Sequence, residues 1–426
     1  MNNISTQYQL LFALFIALHS NHAHAYLDPG SGSAIVGLIT AAIGSVWFSI
    51  KSLFYRIKGN NILDDEITIG DESIVIFSEG KAYWSTFKPL INRLIEQEVP
   101  FRYFTLDMYD PALTIDNKCM SSKLLSLKSI NLSEINKVKA RCVISTTPNI
   151  GTPGYPVKKS PYIEKLIHVF HHVGDISIYK KYSLDNYDEV IMAGDFQKKA
   201  IRKIESLRDL KKKKLISLGV PYLDDLYSST SRTDKAKNKN TTILVGSSWG
   251  SKGCLRQYGV DFINKLANAG YNVIVRPHPQ SAKSEPEFID KCKEATSHTN
   301  VIWDEVPSPS HSMNESDLLI SDTSAIRFDY AFLHEKPIIT LDIPKDKLSE
   351  FELSDLNESW YESASLRIGR VLNKDSVCHL NEIVDETLRS NFISDIRTFR
   401  QETVQNFGNS APHVVDYILK ANSIKG

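Results

Sequence analysis

The sequence lacks a charge excess of either sign. Its 426 residues carry 50 Lys and Arg against 50 Asp and Glu, and the formal net charge is +0. Proteins that bind nucleic acids usually show a basic excess, so no nucleic-acid partner is expected. Apolar residues make up 42% of the chain, enough for folded cores, and its length favours two domains over one.

Cysteine is scarce, and its spacing excludes several kinds of site. No two cysteines form a CxxC pair, so neither a disulfide framework nor a zinc knuckle is expected. The five are Cys119, Cys142, Cys254, Cys292 and Cys378. The HExxH, Walker and GxGxxG spacings are missing too. We therefore expect neither a metal nor an organic cofactor.

The first apolar run of the chain is short. Residues 10–18 cannot span a bilayer, and they precede Ala23-His24-Ala25, a small-x-small pattern typical of signal-peptidase sites. Residues 1–25 are therefore interpreted as a signal-peptide-like segment. No Lys or Arg precedes the run, so whether this segment is cleaved stays open.

A second apolar run follows at residues 34–50, after the YLDPGSGS turn. At about 1.5 Å per residue it just spans a hydrocarbon core, so residues 26–58 predict a turn and a transmembrane helix. Lys51, Arg56 and Lys58 follow the run, and the positive-inside rule then places the rest of the chain on the cytoplasmic side of the inner membrane. The alternative is a hairpin of two short segments lying in one leaflet.

The remaining chain shows two series of apolar strands alternating with amphipathic helices. This pattern indicates parallel sheets covered on both faces. Residues 68–227 form the first predicted domain, residues 241–426 the second with a helical tail, and the polar stretch 228–240 the linker. The predicted fold class is α/β, with two Rossmann-like domains facing a cleft in a GT-B-like arrangement. Ligands are expected at the carboxyl ends of the strands.

The predicted strands are short and apolar. In the first series they are residues 73–77, 101–105, 142–146, 166–170 and 188–193, and in the second series residues 242–246, 272–276, 300–303, 317–321 and 337–341.

The strongest motif is SDLLISDTSA, residues 316–325. A strand ends at Ser321 and a helix is predicted to follow, with Asp322 as its N-cap. The amides of Thr323, Ser324 and Ala325 are expected to point outward. Such a helix start binds phosphate through free N–H groups and the helix dipole. An ordinary helix cap remains the alternative.

The second motif is Arg276-Pro277-His278-Pro279, directly after a predicted strand. The planar guanidinium of Arg276 suits phosphate oxygens, and His278 adds a donor. A rigid exposed turn is the alternative, but both motifs lie at the same edge of one parallel sheet. A weaker candidate is the loop with Ser247, Ser248 and Gly250, which could let the backbone approach a nucleotide.

In the first domain, His168, His171 and His172 surround the end of a predicted strand. His171 stands where the strand becomes a loop, a position from which catalytic groups reach a cleft. There it could serve as general base for a hydroxyl nucleophile. Only Asp175 lies near with a suitable ligand atom, so a metal site is not favoured. The loop from Glu79 onward is a further candidate for the acceptor side, although a plain loop is the simpler interpretation.

Taken in order, these segments resemble the CDP-glycerol:poly(glycerophosphate) glycerophosphotransferase family. The likeness runs over roughly residues 170–342, and its last two segments are the most specific. The segments are the histidine-containing strand end, DEVIMAGDFQKKAIR, LGVPYLDDLY, ILVGSSWG, RPHP and SDLLISDTSAIRFDYAFLHEKPII. The resemblance implies a GT-B fold with the nucleotide in the second domain. It also implies attack of an acceptor hydroxyl on the donor's β-phosphate, with release of CMP.

The resemblance also implies site residues. The family's RPHP and S-D-[TY]-S-S segments match residues 276–279 and 321–325, with Ala325 in place of the second Ser. Its Trp-His-Gly motif, whose His is the base, matches residues 170–174 with one extra residue. Both His171 and His172 therefore remain candidates for the base, and the turn position favours His171.

The predicted function is a membrane-associated transferase of cell-surface polymer synthesis. It would move a polyol phosphate from a CDP-activated donor to a hydroxyl of a lipid-linked or polymeric acceptor. One alternative is a GT-B glycosyltransferase using a nucleotide sugar. Another is a non-catalytic assembly factor for envelope polysaccharide.

Overall fold

The computed structural model describes most of the chain beyond the amino-terminal segment. The described residues are 74–125, 132–230, 240–306, 308–343 and 350–423. The predicted signal-peptide-like segment and transmembrane helix lie outside these ranges, as does most of the predicted linker. Within the ranges, no helix combines the length and the apolar character needed to cross a membrane.

The first sheet has seven parallel strands in the order β3-β2-β1-β4-β5-β6-β7. This is the order of a doubly wound sheet. Its strands are β1 (Ile74–Ser78), β2 (Phe101–Thr105), β3 (Met120–Leu124), β4 (Ala140–Ser145), β5 (Ile163–Val169), β6 (Glu189–Met192) and β7 (Lys214–Ser217).

The second sheet has six parallel strands in the order β10-β9-β8-β11-β12-β13, which repeats that pattern. Its strands are β8 (Thr242–Ser247), β9 (Asn272–Pro277), β10 (Val301–Trp303), β11 (Leu318–Ser321), β12 (Ile338–Leu341) and β13 (Gly369–Leu372). The sheet of β1–β7 and its helices form the first lobe, and the sheet of β8–β13 and its helices form the second lobe. The predicted class, an α/β fold with two parallel sheets, is confirmed.

Helices connect the strands and cover both sheets. Up to the end of the first lobe they are α1 (Trp84–Glu96), α2 (Leu132–Asn136), α3 (Phe196–Leu207) and α4 (Pro221–Ser229). In the second half they are α5 (Cys254–Tyr258), α6 (Asp261–Asn268), α7 (Ser281–Ser284), α8 (Pro286–Thr296), α9 (Ser310–Glu315), α10 (Ile326–His334), α11 (Leu353–Leu356), α12 (Trp360–Ile368), α13 (Leu380–Arg389), α14 (Phe392–Thr403) and α15 (Ser410–Ser423).

Strand residues alternate between the cores on the two faces of each sheet. On β1, Val75 and Phe77 face one cluster, while Ile74 and Ile76 face another. This alternation follows from the two-residue period of a strand, and both faces are apolar because helices cover them. The same arrangement buries the strands of the second sheet.

The last described helix does not stay with the second lobe. Ala411, Val414 and Ile418 of α15 belong to the core cluster of β1 and α1 in the first lobe. The predicted second domain, residues 241–426, included this tail. The structure corrects the assignment, because the apolar face of α15 is buried against the first sheet.

The two lobes share one hydrophobic cluster. It brings Val173 and Ala193, which follow β5 and β6, together with Phe328 of α10 and Tyr361 of α12. The rings of Phe196 and Trp360 also stack across this junction, with centroids 4.2 Å apart.

Residues 350–359, which we call the bridging segment, belong to the second half of the chain but pack on the first lobe. The Glu352 amide donates to the Tyr179 carbonyl (2.8 Å), and Arg208 of the first lobe pairs with the carboxylates of Glu352 and Asp355. The segment thereby connects the lobes directly before α12.

Candidate active site

Each sheet has a point where the strand order reverses, and both points are built alike. In open α/β sheets, ligands bind at the carboxyl ends of the strands beside this point. In the first lobe, Ser145 Oγ at the end of β4 donates to the Phe77 carbonyl of β1 (2.8 Å). In the second lobe, Ser321 Oγ at the end of β11 donates to the Gly246 carbonyl of β8 (2.5 Å). The hydroxyl proton of Ser321, predicted to face the donor phosphate, is therefore committed to the neighbouring strand.

Asp322, the next residue, joins two loops of the second lobe. Its buried carboxylate accepts hydrogen bonds from the Ser248 amide (2.9 Å), the Ser248 hydroxyl (2.6 Å), the Cys254 amide (2.6 Å) and the Ser324 amide (3.0 Å). A carboxylate cannot donate to a phosphate and repels its charge. The predicted phosphate contact at Asp322 is thus replaced by a positioning role.

The predicted nucleotide loop is held in place by the hydrogen bonds to Asp322, which we call the Asp322 clasp, and by hydrogen bonds of its own. Ser247 Oγ donates to the Ser248 carbonyl (2.8 Å), and the Gly250 amide donates to Glu285 Oε1 (2.9 Å). With Ser248 bound to Asp322, the polar groups predicted to meet a nucleotide already have partners within the protein. Trp249 is 49% exposed in this loop.

Helix α10 begins later than predicted. Its first residue is Ile326 and its N-cap is Ala325, without a side-chain cap, so the prediction of Asp322 as N-cap is wrong. The reason is that Asp322 is turned inward toward the β8 loop. Thr323 and Ser324 are partly exposed in the turn before the helix. Among the described residues, the amides of Thr323 and Ala325 have no hydrogen-bond partner.

The RPHP turn adjoins this region, since β9 is the neighbour of β8. Arg276 is buried, and its Nη1 donates to Asp304 Oδ2 (2.8 Å), so part of its guanidinium is committed to an ion pair. His278 is exposed, and its Nδ1 accepts from the Gln280 amide (3.0 Å). The neutral imidazole therefore carries its proton on Nε2, which can donate to a ligand.

In the first lobe, aromatic rings surround the predicted base. His171 is partly exposed, and its ring centroid lies 4.7 Å from that of His172, 5.1 Å from Tyr83 and 6.4 Å from Tyr179. No described residue forms a hydrogen bond with its Nδ1. His171 is held by ring packing, without the hydrogen-bonded carboxylate that often orients a catalytic imidazole.

Burial keeps this histidine cluster neutral. It lowers the pKa of His171 to about 4, and the pKa of fully buried His168 to about 3 with a further contribution from the charge of His171. Burial also places the pKa of His172 well below its usual value. A neutral imidazole has a free lone pair, so His171 can accept a proton at neutral pH.

Several buried polar atoms at the first sheet edge have no hydrogen-bond partner in the part of the chain that the structure describes. They include Thr146 Oγ1, Thr147 Oγ1 and His172 Nε2. Nearby, the Tyr155 hydroxyl donates to the Glu79 carboxylate. Unpaired polar atoms away from water are unfavourable, so their concentration at one sheet edge suits a polar ligand rich in hydroxyl groups.

Tyr361 of α12 connects the two edges. A Cβ at Gly174 would lie 1.6 Å from the Tyr361 hydroxyl, so only glycine fits beside this side chain. The adjacent Asp175 carboxylate accepts from the Trp360 amide (3.1 Å). The ring of Tyr361 also lies 6.0 Å from the guanidinium of Arg327 in α10. The side chain of Tyr361 therefore lies beside both the loop after β5 and the first turn of α10.

The described residues contain no group of three or more His, Cys, Asp or Glu side chains arranged to hold a metal. Sequence reasoning overlooked Thr146, Thr147, Tyr361 and Arg327. The two threonines follow a buried strand without any motif, and Tyr361 reaches the site only through tertiary packing. Arg327 did carry a signal, as the one basic residue within the apolar segment AIRFDYAFL.

Comparison with known proteins confirms the family resemblance. Residues 174–350 match the model of the CDP-Glycerol:Poly(glycerophosphate) glycerophosphotransferase family. The matched segment contains Arg276, His278 and the turn at residues 321–325, but it begins after His171 and His172. The chain is a glycerophosphotransferase-like transferase. A search of the curated proteins with this sequence finds no match.

Solved structures share the fold. The wall teichoic acid polymerase TagF, in a variant soaked with CDPG, superposes with a TM-score of 0.54 at 15% identity, over 90% of this chain and 98% of that one. The UDP-GlcNAc 2-epimerase of Neisseria meningitidis gives 0.52 at 13% identity, over 82% and 100%. A glycosyltransferase of Rickettsia africae gives 0.52 at 13% identity, over 84% and 100%. At these identities the likeness shows the two-lobed, GT-B-like fold alone.

Proposed function

We propose that this protein transfers a glycerol-phosphate-like group from a CDP-activated donor to a hydroxyl group of a surface-polymer acceptor. The family match over residues 174–350 supports the reaction class. The observation that carries the assignment of roles is the pairing of two unlike sheet edges. One holds a neutral imidazole, and the other a turn with unpaired amides, in lobes joined through Tyr361.

The donor is assigned to the second lobe. The amides of Thr323 and Ala325, the hydroxyl of Ser324 and Nε2 of His278 supply neutral donors for the diphosphate, and Arg276 adds positive charge. Asp322, Ser321 and the loop with Ser247, Ser248 and Gly250 hold these groups in place. Phosphoryl transfer depends mainly on such positioning and on neutralising charge.

The acceptor hydroxyl is assigned to the first lobe, beside His171. Its oxygen attacks the β-phosphorus of the donor, and the bond from this phosphorus to the oxygen of CMP breaks. The hydroxyl proton passes to the free nitrogen of His171, and CMP leaves with the electron pair of the broken bond. The negative charge of a bound donor raises the pKa of the imidazole, which strengthens the base in the complex.

The place of action is proposed from sequence alone. The apolar run at residues 34–50 and the cations after it support an anchor in the cytoplasmic membrane, with the lobes on the cytoplasmic side. CDP-activated donors are cytosolic, and an anchor would keep the enzyme beside a lipid-linked acceptor. A reporter fused at Gly426 should be active in the cytoplasm. A reporter that is active on the outer side would overturn both the orientation and the use of a cytosolic donor.

The donor class is tested by incubating the protein with CDP-glycerol, CDP-ribitol and UDP- or CMP-sugars, together with a membrane fraction as acceptor source. We expect release of CMP from CDP-glycerol or CDP-ribitol. Turnover of a nucleotide sugar alone would make the protein a glycosyltransferase. Absence of turnover with all donors, despite nucleotide binding, would favour the assembly-factor alternative.

Ser324→Ala offers a sharper test of the donor site than Arg276→Ala, which would also leave Asp304 without its ion-pair partner. Removing the Ser324 hydroxyl should weaken donor binding by about 1.5 to 3 kcal/mol, the usual range for a hydrogen bond to a charged group. Ser363→Ala, which removes an exposed hydroxyl from α12, serves as the control. Equal calorimetric affinities in both variants and the wild type would exclude Ser324 from the site.

A further inference from the structure

Arg327 is a buried cation whose hydrogen bonds all go to neutral oxygens. It is the second residue of α10, with 2% of its surface exposed. Its Nε donates to the Ser324 carbonyl (3.0 Å), and its Nη1 donates to Thr340 Oγ1 (3.1 Å) and Ser365 Oγ (2.7 Å). No carboxylate among the described residues forms an ion pair with it.

A buried guanidinium without a carboxylate partner is unfavourable in a protein that binds no anionic ligand. Removing a guanidinium from water costs several kcal/mol unless an anion lies beside it. Burial lowers the pKa of Arg327 to about 10, and the more distant Asp322 carboxylate only partly opposes that effect. The oxygens of Asp322 are already occupied by Ser248, Cys254 and Ser324.

The direction of the unused donor is fixed by the shape of the side chain. Nε and Nη2 donate from the same edge of the planar guanidinium, and Nε is bound to the Ser324 carbonyl. Nη2, which has no hydrogen-bond partner among the described residues, therefore lies on the edge that faces the turn of Thr323 and Ser324.

We propose that Arg327 contacts the diphosphate of the donor through Nη2, and that the ligand supplies the counter-charge missing from the protein. The proposal rests on the donor site described under the proposed function and adds a cation to it. It also accounts for Ala325, because a buried guanidinium two residues later compensates for the hydroxyl that the family motif has there.

The test is calorimetry with CDP, inorganic pyrophosphate and cytidine as ligands. Arg327→Gln should weaken binding of CDP and pyrophosphate by about 10- to 100-fold, the range for losing a hydrogen bond between charged groups. Binding of cytidine, which has no phosphate, should be unchanged. Arg327→Lys keeps the charge but loses the planar edge, and should fall between Arg327→Gln and the wild type. Arg370→Gln on β13, whose guanidinium pairs with Glu386, is the control for charge removal in the same lobe.

Thermal unfolding separates this role from a structural one. Because Arg327→Gln removes an uncompensated charge, its unfolding temperature without ligand should equal or exceed that of the wild type. The rise in that temperature produced by saturating pyrophosphate should be mostly lost. A merely structural Arg327 would instead give a lower unfolding temperature and an undiminished ligand-induced rise.

The outcomes also distinguish this inference from the proposed function. If the wild type turns over CDP-glycerol but both Arg327 variants bind CDP normally, the inference is wrong and the function stands. If pyrophosphate binding depends on Arg327 but no CDP donor is turned over, the anion site stands and the function is wrong. Should Arg327→Gln fail to fold, unchanged CDP affinity in Arg327→Lys alone would overturn the inference.

Discussion

At both reversals of strand order a serine hydroxyl crosses from the fourth strand to the first, but the residue that follows differs. In the first lobe it is Thr146, whose buried hydroxyl has no hydrogen-bond partner among the residues described. In the second lobe it is Asp322, whose carboxylate accepts four short hydrogen bonds. One backbone arrangement thus supports two different edges. We call the first the unpaired edge, because buried side-chain polar atoms there lack partners among the described residues. We call the second the paired edge, because its central carboxylate, that of Asp322, is hydrogen-bonded on both oxygens.

This difference matches the two ligands that the lobes are proposed to bind. A diphosphate brings charge and is bound best by groups already fixed in place, which the Asp322 clasp provides. A polyol acceptor brings neutral hydroxyls that can both donate and accept, and these can satisfy Thr146, Thr147 and His172. The second edge, proposed to bind the charged ligand, is therefore the more pre-organised of the two. The first edge leaves its polar atoms available for hydrogen bonds with a neutral ligand.

The largest effect should come from the base of the unpaired edge. His171→Ala should lower kcat by about 100-fold or more, the usual contribution of general-base catalysis, and should barely change donor affinity. Steady-state kinetics with CDP-glycerol, together with calorimetry, measures the two effects separately. The physical reason for the selectivity is that the donor contacts are proposed to lie in the other lobe.

His172→Ala is the matched control, since its ring touches that of His171 but its side chain is buried. If His172→Ala loses turnover and His171→Ala does not, the base is His172. If neither variant loses turnover, the histidines are structural and the first edge does not supply the general base.

The clasp of the paired edge should show the next largest effect. Asp322→Asn places an amide NH₂ against backbone N–H groups, so we expect a loss of about 3 kcal/mol in the free energy of unfolding, with weaker donor binding. Urea denaturation at pH 7 measures the loss.

Asp329→Asn, within the helix α10 that follows Asp322, provides the contrast. Asp329 is also buried, but the one hydrogen bond that its carboxylate accepts from a described residue, from the Tyr222 hydroxyl, is long at 3.3 Å. Burial raises the pKa of this carboxyl to about 7. Burial thus favours the protonated form of this carboxyl, which Asn resembles, so Asn should cost less than about 1 kcal/mol. Equal losses for the two variants would mean that Asp322 acts only as a buried polar residue.

The last effect is absent at neutral pH, concerns acid stability and belongs to the unpaired edge. The pKa of His168 is about 3 in the folded protein, against about 6.5 in an unfolded chain. As the pH falls below 6.5 the unfolded state binds the proton first, so folded stability is lost. The wild type should therefore lose about 1.4 kcal/mol per pH unit relative to His168→Phe between pH 6.5 and 4. A difference that does not change with pH would show that His168 is not kept neutral by the fold.

The sequence predicted the central strands well and missed three of the four strands at sheet edges. Residues 101–105 were predicted exactly as β2, because a strand between two neighbours is apolar on both faces. The strands without a prediction were β3, β7 and β13, each at the edge of its sheet. An edge strand borders solvent, so it keeps polar residues such as those of Lys214–Ser217 and lacks a continuous apolar run.

The site was predictable where a motif ends a strand, and not where packing decides. The turn before α10, the RPHP turn and the histidine loop all follow buried strands, so their positions at the carboxyl edges of the two sheets could be inferred. The inward orientation of Asp322 could not be inferred. An aspartate at this position can cap a helix or accept hydrogen bonds from a neighbouring loop, and the sequence does not distinguish the two. Tyr361 depends on the bridging segment, whose docking on the first lobe leaves no local pattern.

The return of α15 to the first lobe has a consequence for synthesis of the chain. Val414 and Ile418 complete the core around β1 and α1, yet the ribosome makes them only after the whole second lobe. The first lobe emerges first but must wait with an exposed apolar face until α15 arrives. Premature termination within α15 would therefore expose the core of the first lobe, far along the chain from the lesion. The truncated product would offer apolar surface to chaperones.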